Sequence, residues 1–323
     1  MMRTTSKALV FLLAAALAPA APAFGWGSAT HAYIGHELRS QAGPTDLDEI
    51  YGSMAPDLFN FLFATPYAPL YPYLYGLSHG DGAEVSAALR RGWEKAVLYG
   101  FLGHSDVNGS DLTAHHASLT LDPGEGYVIT KALALQQILA QVPEFAALGL
   151  TDAASLDVCH NLVETAGDLL MAGAQPRVGA WMTASAARPA GPLQGLLTRA
   201  WTAGLVEHAA SLGLALSTEE AAGIIIGSEA WFRDRIAGMG VMLQQDPAAA
   251  FDGAVLDFAA FAEAYLASFG VTLPPGTDLS PLIAFGLAQS MSLCSADYLV
   301  EVDATIAMTE QQLRSMGGRL TVR

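Results

Sequence analysis

The spacing of apolar residues constrains the fold of this chain more than any other feature of its sequence. Ala, Leu and Gly dominate, and segments that alternate Val, Ile or Thr with polar residues, which are typical of strands, are scarce. Breaks rich in Gly and Pro separate the apolar segments. The pattern therefore predicts an all-α protein, a multi-helix bundle. Helices are predicted near residues 30–41, 46–52, 82–104, 111–118, 127–141, 153–173, 193–212, 217–236, 255–268, 279–292 and 296–315, and an irregular aromatic loop at 65–75.

The first 25 residues have the composition of a secretory signal peptide. Arg3 and Lys7 precede an apolar stretch from Ala8 to Ala18 that is short for a membrane span, and Ala23-Phe24-Gly25 offers small residues to a signal peptidase. We therefore expect cleavage before Trp26 and a secreted or periplasmic protein. The alternative is an uncleaved membrane anchor, which would leave Trp26 without a free amine.

The charge of the chain limits its partners. Without residues 1–25 it would hold 13 basic and 31 acidic residues, a net charge of about −18 with neutral histidines. Such a surface repels polyanions, so binding of nucleic acid through phosphate contacts is disfavoured unless metal ions supply positive charge. The remaining 298 residues suffice for a large core, which we divide into a metal-binding part at 26–175 and a helical region packed on it at 176–323.

The chain has two cysteines, Cys159 and Cys294. In an oxidising compartment they could pair. The sequence leaves open whether they form a bridge or remain two buried thiols.

Histidines are concentrated in the first half of the chain. Seven of the eight lie between residues 31 and 160, interleaved with carboxylates. Imidazole nitrogen and carboxylate oxygen are the ligands that bind zinc at about 2.0–2.2 Å. Two acid and histidine pairs have a four-residue spacing, which places both side chains on one helical face: Asp111 with His115, and His160 with Glu164, where Asp168 extends the face by a turn.

These residues, in this order, resemble the bacterial zinc-dependent phospholipases C. That family is related to the N-terminal domain of glycosylphosphatidylinositol-specific phospholipase D and to the secreted trizinc nucleases. The resemblance covers about half of the chain that would remain after cleavage, from Trp26 to Asp168. It rests on Trp26 followed by His31, Pro56-Asp57, His79, Gly100 with His104, Asp111 with His115, and His160 with Glu164.

The resemblance implies three zinc ions and a helical phospholipase C/D-like core with a C-terminal extension. The implied ligands of the first ion are Asp57, His79, His104 and the bridging Asp111. Those of the second are His115, His160 and Glu164, and the third takes the amine and carbonyl of Trp26, His31 and the shared Asp111.

One spacing departs from the family pattern. His104 and the following aspartate are usually four residues apart, but here Asp111 is seven residues away and Asp106 lies between them. Asp111 is the preferred bridging carboxylate because it keeps the family spacing to His115, and Asp106 is the alternative. His116 is likewise an alternative to His115, although it projects about 100° away on a helix.

The implied activity is hydrolysis of a phosphodiester by metal-activated water, with Asp57 as the catalytic carboxylate. Glu164 matches the phospholipase branch, where the nucleases more often have Asp, and the acidic charge also favours a phospholipid substrate met at a membrane surface. The alternatives are a nuclease or phosphatase of the same superfamily and a zinc-binding protein without turnover. The predicted substrate-binding aromatics are Phe63, Tyr67, Tyr71 and Tyr73.

Overall fold

The computed structural model describes residues 25–38, 46–121 and 124–316. The predicted signal peptide therefore lies outside the described residues, apart from Gly25. No strand occurs in the described part of the chain, which confirms the all-α prediction. The helices are α1 (Ser28–Leu38), α2 (Asp46–Met54), α3 (Tyr71–His79), α4 (Ala83–Ala87), α5 (Lys95–His104), α6 (Tyr127–Leu139), α7 (Pro143–Ala146), α8 (Asp152–Ala174), α9 (Val178–Ala186), α10 (Gly191–Ser211), α11 (Thr218–Met242), α12 (Pro247–Ser268), α13 (Ser280–Cys294) and α14 (Tyr298–Ser315).

Short helical turns link the first helices. Three 3₁₀ turns, Ala55–Phe59, Leu62–Ala64 and Ala68–Leu70, connect α2 to α3, and a fourth, Gly92–Glu94, precedes α5. A single π turn, Leu112–His116, follows α5. The predicted helix at 82–104 is thus divided in two, and the predicted loop at 65–75 contains a 3₁₀ turn and the start of α3.

Two glycines allow α2 and α5 to cross at close range. A Cβ on Gly52 would lie 2.1 Å from the carbonyl oxygen of Val97, and a Cβ on Gly100 would lie 2.0 Å from that of Glu49. Only glycine permits such an approach between backbones. The contact matters for the site, because it places the end of α5 beside the end of α2.

The long helix α8 lies at the centre of the fold. Its first turn is capped by the Thr151 side chain, which accepts a hydrogen bond from the Ala154 amide. It packs against α1, α6 and α13, and more weakly against α12 and α14. The C-terminal helices therefore enclose α8 together with the N-terminal ones.

The core is continuous across both halves of the chain. Trp26, Tyr127 and Tyr298 form one aromatic cluster, with Trp26 ring centroids 5.4 Å from those of both tyrosines. Cys159 and Cys294 are both buried and both free thiols. In the described part of the chain no single helix is long and apolar enough to cross a membrane, although α13 and α14, bent by 67° to each other, pass that test as a pair.

Candidate metal centre

The predicted ligand side chains converge from six parts of the fold. His31 lies on α1, Asp57 on the 3₁₀ turn after α2, and His79 and His104 at the ends of α3 and α5. Asp111 and His115 come from the π turn region, and α8 supplies the remaining pair. All of these side chains are at least nine-tenths buried: His31, Asp57, His79, His104, Asp111, His115, His160 and Glu164.

Asp57, His79 and His104 form the first group, here called the Asp57 group. One potential ligand atom from each lies within 4.8 Å of the others. Oδ1 of Asp57 is 3.3 Å from Nε2 of His79 and 3.7 Å from Nε2 of His104. One carboxylate oxygen and two imidazole nitrogens therefore face a common point, which is a donor set suited to a transition metal ion.

His31, His104 and Asp111 form the second group, here called the Asp111 group. Oδ1 of Asp111 lies 3.1 Å from Nε2 of His31, and Oδ2 lies 2.9 Å from Nε2 of His104. Oδ2 is also 3.8 Å from Nε2 of His79. The two oxygens of Asp111 thus face different histidines, and the carboxylate lies between the Asp57 and Asp111 groups.

Trp26 reaches the same carboxylate through its backbone. Its nitrogen donates to Oδ1 of Asp111 at 3.3 Å, and its indole nitrogen donates to the carbonyl of Ser110 at 3.0 Å. A Cβ on Gly25 would lie only 2.0 Å from the Asp111 carboxylate. The chain at Gly25 and Trp26 therefore lies directly against the Asp111 group.

The third group consists of His115, His160 and Glu164 and is called the Glu164 group. The four-residue spacing on α8 places Nε2 of His160 2.9 Å from Oε1 of Glu164. Asp106 lies on the other side of His115, where its Oδ1 is 2.7 Å from Nδ1. His116 is more than half exposed and lies 3.8 Å from Asp106.

The buried polar atoms of the site test whether metal ions fit. In the described part of the chain, five of these atoms lie 2.9–3.1 Å from a facing carboxylate or imidazole atom yet make no hydrogen bond of acceptable geometry: His31 Nε2, His104 Nε2, Asp111 Oδ2, His160 Nε2 and Glu164 Oε1. A buried polar atom without a partner costs free energy, and it needs a ligand that accounts for it. Metal ions would satisfy all five, so the residues fit bound cations.

Outer hydrogen bonds fix the histidine rings in this orientation. A histidine that ligates a metal commonly engages its second ring nitrogen with an oxygen further out. Here the Nδ1 atom of each of three rings lies near an oxygen behind it, which leaves Nε2 facing the centre. The partners are Ser110 Oγ for His31 (3.3 Å), Ser78 Oγ for His79 (2.9 Å) and the Ser53 carbonyl for His104 (2.8 Å).

Burial and the charges of neighbouring side chains shift the pKa values of the site residues in different directions. Burial raises the pKa of Asp111, but the facing imidazoles of His104 and His31 outweigh it and hold this pKa well below its usual range. For His104 the carboxylates outweigh burial and raise the pKa to about 9. Burial raises the pKa of Glu164 and lowers that of His160. The Asp111 group thus pairs opposite charges, whereas burial disfavours charge in the Glu164 group, which a cation would offset.

Asp168 joins α8 to the segment that carries His31. Its Oδ1 accepts hydrogen bonds from the backbone amides of Ala29 and Thr30, at 2.9 and 3.0 Å, in the first turn of α1. A Cβ on Gly27 would lie 2.4 Å from the same oxygen. Asp168 therefore fixes the start of α1 against α8, where the sequence suggested only that it extends the face of His160 and Glu164.

A cavity of about 100 Å³ lies over the groups and is closed by C-terminal helices. Asp57, Glu164 and Trp26 line its lower side, while α11 and α12 supply the opposite side. There Arg235 forms a bidentate pair with Asp257, with the NH1 to Oδ1 distance 2.6 Å. Sequence reasoning missed this wall, because its residues have the spacing of ordinary core helices: Phe232, Arg235, Ile236, Met239, Asp257, Phe258 and Phe261.

The four predicted substrate-binding aromatics occupy different places. Phe63 and Tyr67 line a separate apolar groove beside the cavity. Tyr71 is buried behind the site, with its hydroxyl 3.5 Å from Oδ1 of Asn60. Tyr73 stacks on His208 at a ring distance of 4.2 Å, and the structure does not bring it to the metal groups.

His36 also lies away from the groups, stacked on Trp181 at 3.7 Å.

Comparisons with family models, with curated proteins and with solved structures each returned no match. The function is therefore inferred from the geometry of the site.

Proposed function

We propose that this protein is an exported zinc-dependent phosphodiester hydrolase that acts on phospholipid in the manner of a phospholipase C. The observation that carries the proposal is the convergence of the Asp57, Asp111 and Glu164 groups. Five of their buried nitrogen and oxygen atoms, all suited to bind a metal, lack hydrogen-bond partners. Isolated surface pairs of acid and histidine have no such unsatisfied atoms. The multi-helix fold and the order of the ligands along the chain agree with the zinc-dependent phospholipase C family.

The three groups would hold three zinc ions, with Asp111 shared between two of them. The backbone of Trp26 would complete the ligands of the Asp111 group once cleavage frees its amine. Zinc bound by such donors polarises a phosphoryl oxygen and lowers the pKa of bound water to about 7. Gly25 lies directly against the Asp111 carboxylate, so cleavage before Trp26 would also open space there.

Asp57 is the proposed catalytic carboxylate. It lines the cavity, and its Oδ1 accepts a hydrogen bond from Nδ2 of Asn60 at 2.8 Å. Burial raises its pKa, but the neighbouring imidazoles, His104 foremost, outweigh burial and keep this pKa below its ordinary value. The carboxylate is therefore ionised at neutral pH, and it can orient a water molecule and accept its proton.

The charge around the cavity favours a lipid over a nucleic acid. Arg235 is the one cationic side chain among the described residues that line it, and Asp257 already pairs with that side chain. A nucleic acid would need several phosphate contacts, whereas a phospholipid presents one phosphodiester. The formal net charge of −16 for the full sequence points the same way.

Metal content and turnover, measured on one sample, test the proposal. The exported protein is purified, its N-terminus sequenced, its zinc counted by elemental analysis, and its activity assayed on phosphatidylcholine and on single-stranded DNA. Three zinc ions, an N-terminal Trp26 and lipid turnover are expected. DNA turnover would assign the nuclease alternative, and bound zinc without any turnover would assign the non-catalytic one.

The variant His160→Ala tests the Glu164 group separately. We expect it to lose one zinc ion and nearly all activity, because Glu164 and His115 alone would hold the ion weakly. His208→Ala is the matched control, since His208 stacks on Tyr73 away from the site. Full activity in His160→Ala would refute the assignment.

A further inference from the structure

An apolar groove of about 630 Å³ lies beside the metal cavity. One wall is the segment from Leu58 to Tyr67, and the opposite wall is formed by α11 and α12. Its volume falls within the range of about 300–1,000 Å³ that small-molecule sites occupy. The sequence predicted Phe63 and Tyr67 of one wall as substrate-binding residues but not the groove itself, because its two walls lie more than 150 residues apart along the chain.

The lining of the groove suits hydrocarbon. Phe61, Leu62, Phe63 and Ile224 contribute aromatic and aliphatic surface, and no Lys or Arg belongs to the lining among the described residues. Two of its polar groups, those of Thr65 and Glu220, already have partners within the protein. The Thr65 hydroxyl donates to the Leu62 carbonyl, and the Glu220 carboxylate accepts from the amide and hydroxyl of Ser217. A polar or anionic occupant would therefore find few groups to bind it.

The groove adjoins the cavity beside the metal groups. Phe61 and Phe261 line both spaces, so they form the boundary between the two. A molecule with its phosphodiester beside Asp57 could therefore extend an apolar tail past these rings into the groove. Two of the lining residues, Tyr67 and Trp231, are 39% and 44% exposed. Such aromatic side chains suit the boundary between water and hydrocarbon.

Glycine keeps one wall of the groove open. Gly223 and Gly227 lie one turn apart on α11, and both line the groove. Neither Cβ position has a described atom within 4 Å, so a side chain there would project into the groove without a clash. A helix interior disfavours glycine by about 1 kcal/mol relative to alanine, so these residues do not serve the helix itself.

We propose that the apolar groove binds one acyl chain of the substrate while the phosphodiester lies in the metal cavity. Hydrocarbon is the occupant that matches an apolar lining that adjoins the metal cavity at Phe61 and Phe261 and includes partly exposed aromatic side chains. The inference rests on the proposed function for the placement of the phosphodiester. The binding of the chain itself requires neither zinc nor turnover.

Fluorescence quenching tests chain binding in metal-free protein. The protein is treated with EDTA and titrated with a lysophosphatidylcholine whose acyl chain carries bromine atoms, which quench nearby tryptophan. We expect saturable quenching that Trp231→Phe largely removes. Gly227→Leu should weaken binding by about tenfold, since it fills the space of several methylenes. Gly238→Leu is the matched control, because Gly238 lies on the same helix, outside the groove, with no described atom within 4 Å of its Cβ position.

Kinetics of the zinc-loaded protein provide the second test. Gly227→Leu should lower kcat/KM for dihexanoyl phosphatidylcholine by about tenfold. It should leave kcat/KM unchanged for nitrophenyl phosphorylcholine, which has the same headgroup and no acyl chain. If neither substrate is turned over, the proposed function fails, and the quenching result still decides the groove.

Three results would overturn the acyl-chain assignment. Equal quenching in Gly227→Leu and Gly238→Leu would mean that the probe only partitions onto the surface. Equal loss on both substrates in Gly227→Leu would mean damage to the metal site. In the third result, a single-stranded oligonucleotide displaces the brominated lipid from the wild type but not from Gly227→Leu. That result would assign the groove to nucleic acid.

Discussion

The half of the molecule that ends at α8 and the half that follows it contribute to the site in different ways. The first half supplies the side chains of the three metal groups, all of them titratable and all buried. The second half supplies most of the wall that faces those groups and one side of the apolar groove, largely with apolar residues. Under the proposed function, chemistry and substrate selection would therefore be separable, and substitutions in the two halves should have different effects.

The largest effect is expected at the carboxylate between two groups. Asp111→Asn should remove more than one zinc ion and lower activity by about a thousandfold or more, because the amide is a poor substitute for a bridging carboxylate. Asp106→Asn should cost about 10–100-fold, as for an outer residue that only orients a ligand. Zinc analysis and initial rates measure both. The reverse order would make Asp106 the bridging residue.

Substitutions in the wall formed by α11 should change substrate binding and leave the zinc content unchanged. Arg235→Ala should raise KM for dihexanoyl phosphatidylcholine by about tenfold, because it leaves the carboxylate of Asp257 without its cationic partner in the cavity wall, where it would repel the substrate phosphate. Zinc content should stay at the wild-type value. Arg314→Ala, at an exposed pair with Glu310, is the control. A loss of zinc in Arg235→Ala would contradict the separation of the two halves.

The contact between α1 and α8 should contribute to the free energy of unfolding. Gly27→Ala places a methyl group 2.4 Å from Oδ1 of Asp168, so we expect the free energy of unfolding to fall by about 1–3 kcal/mol. Gly173→Ala on α8 has open space at its Cβ and should be neutral or slightly stabilising. Denaturant unfolding of both variants gives the comparison. Equal stabilities would mean that the start of α1 relaxes without cost.

The last effect concerns a hydrogen bond between the two halves and is confined to one range of pH. Tyr265 on α12 donates to Asp157 on α8, and burial raises the pKa of Asp157 to about 7. The folded state then retains a proton that the unfolded state loses above about pH 4, so this contribution is present below pH 4 and is lost as pH rises to about 7.

Asp157→Asn should flatten the stability profile in that window by on the order of 4 kcal/mol, because folding raises the pKa of Asp157 from about 4 to about 7. The measurement is the free energy of unfolding between pH 4 and 8 for both proteins. Parallel profiles would show that Asp157 titrates normally in the folded protein.

The helices that the sequence predicted well are those with uninterrupted apolar spacing, such as α8 at Asp152–Ala174. The sequence was less informative at 82–104, where the helical structure is interrupted after α4. It also did not predict α9, whose small residues carry little periodic signal. Among the site residues, the pair His160 and Glu164 could be placed together from spacing alone, because one helix fixes their distance. The contact of Asp106 with His115 required the fold.

The sequence by itself determined the all-α class and the kinds of ligand available, because helical periodicity and residue chemistry are local properties. It also pointed to the resemblance that orders those ligands. Only the tertiary structure decided which carboxylate lies between the groups, which nitrogen of each histidine faces the centre, and which helices close the cavity. Those features depend on contacts between residues far apart in the chain, such as Asp111 with His31, whose distance no local spacing sets.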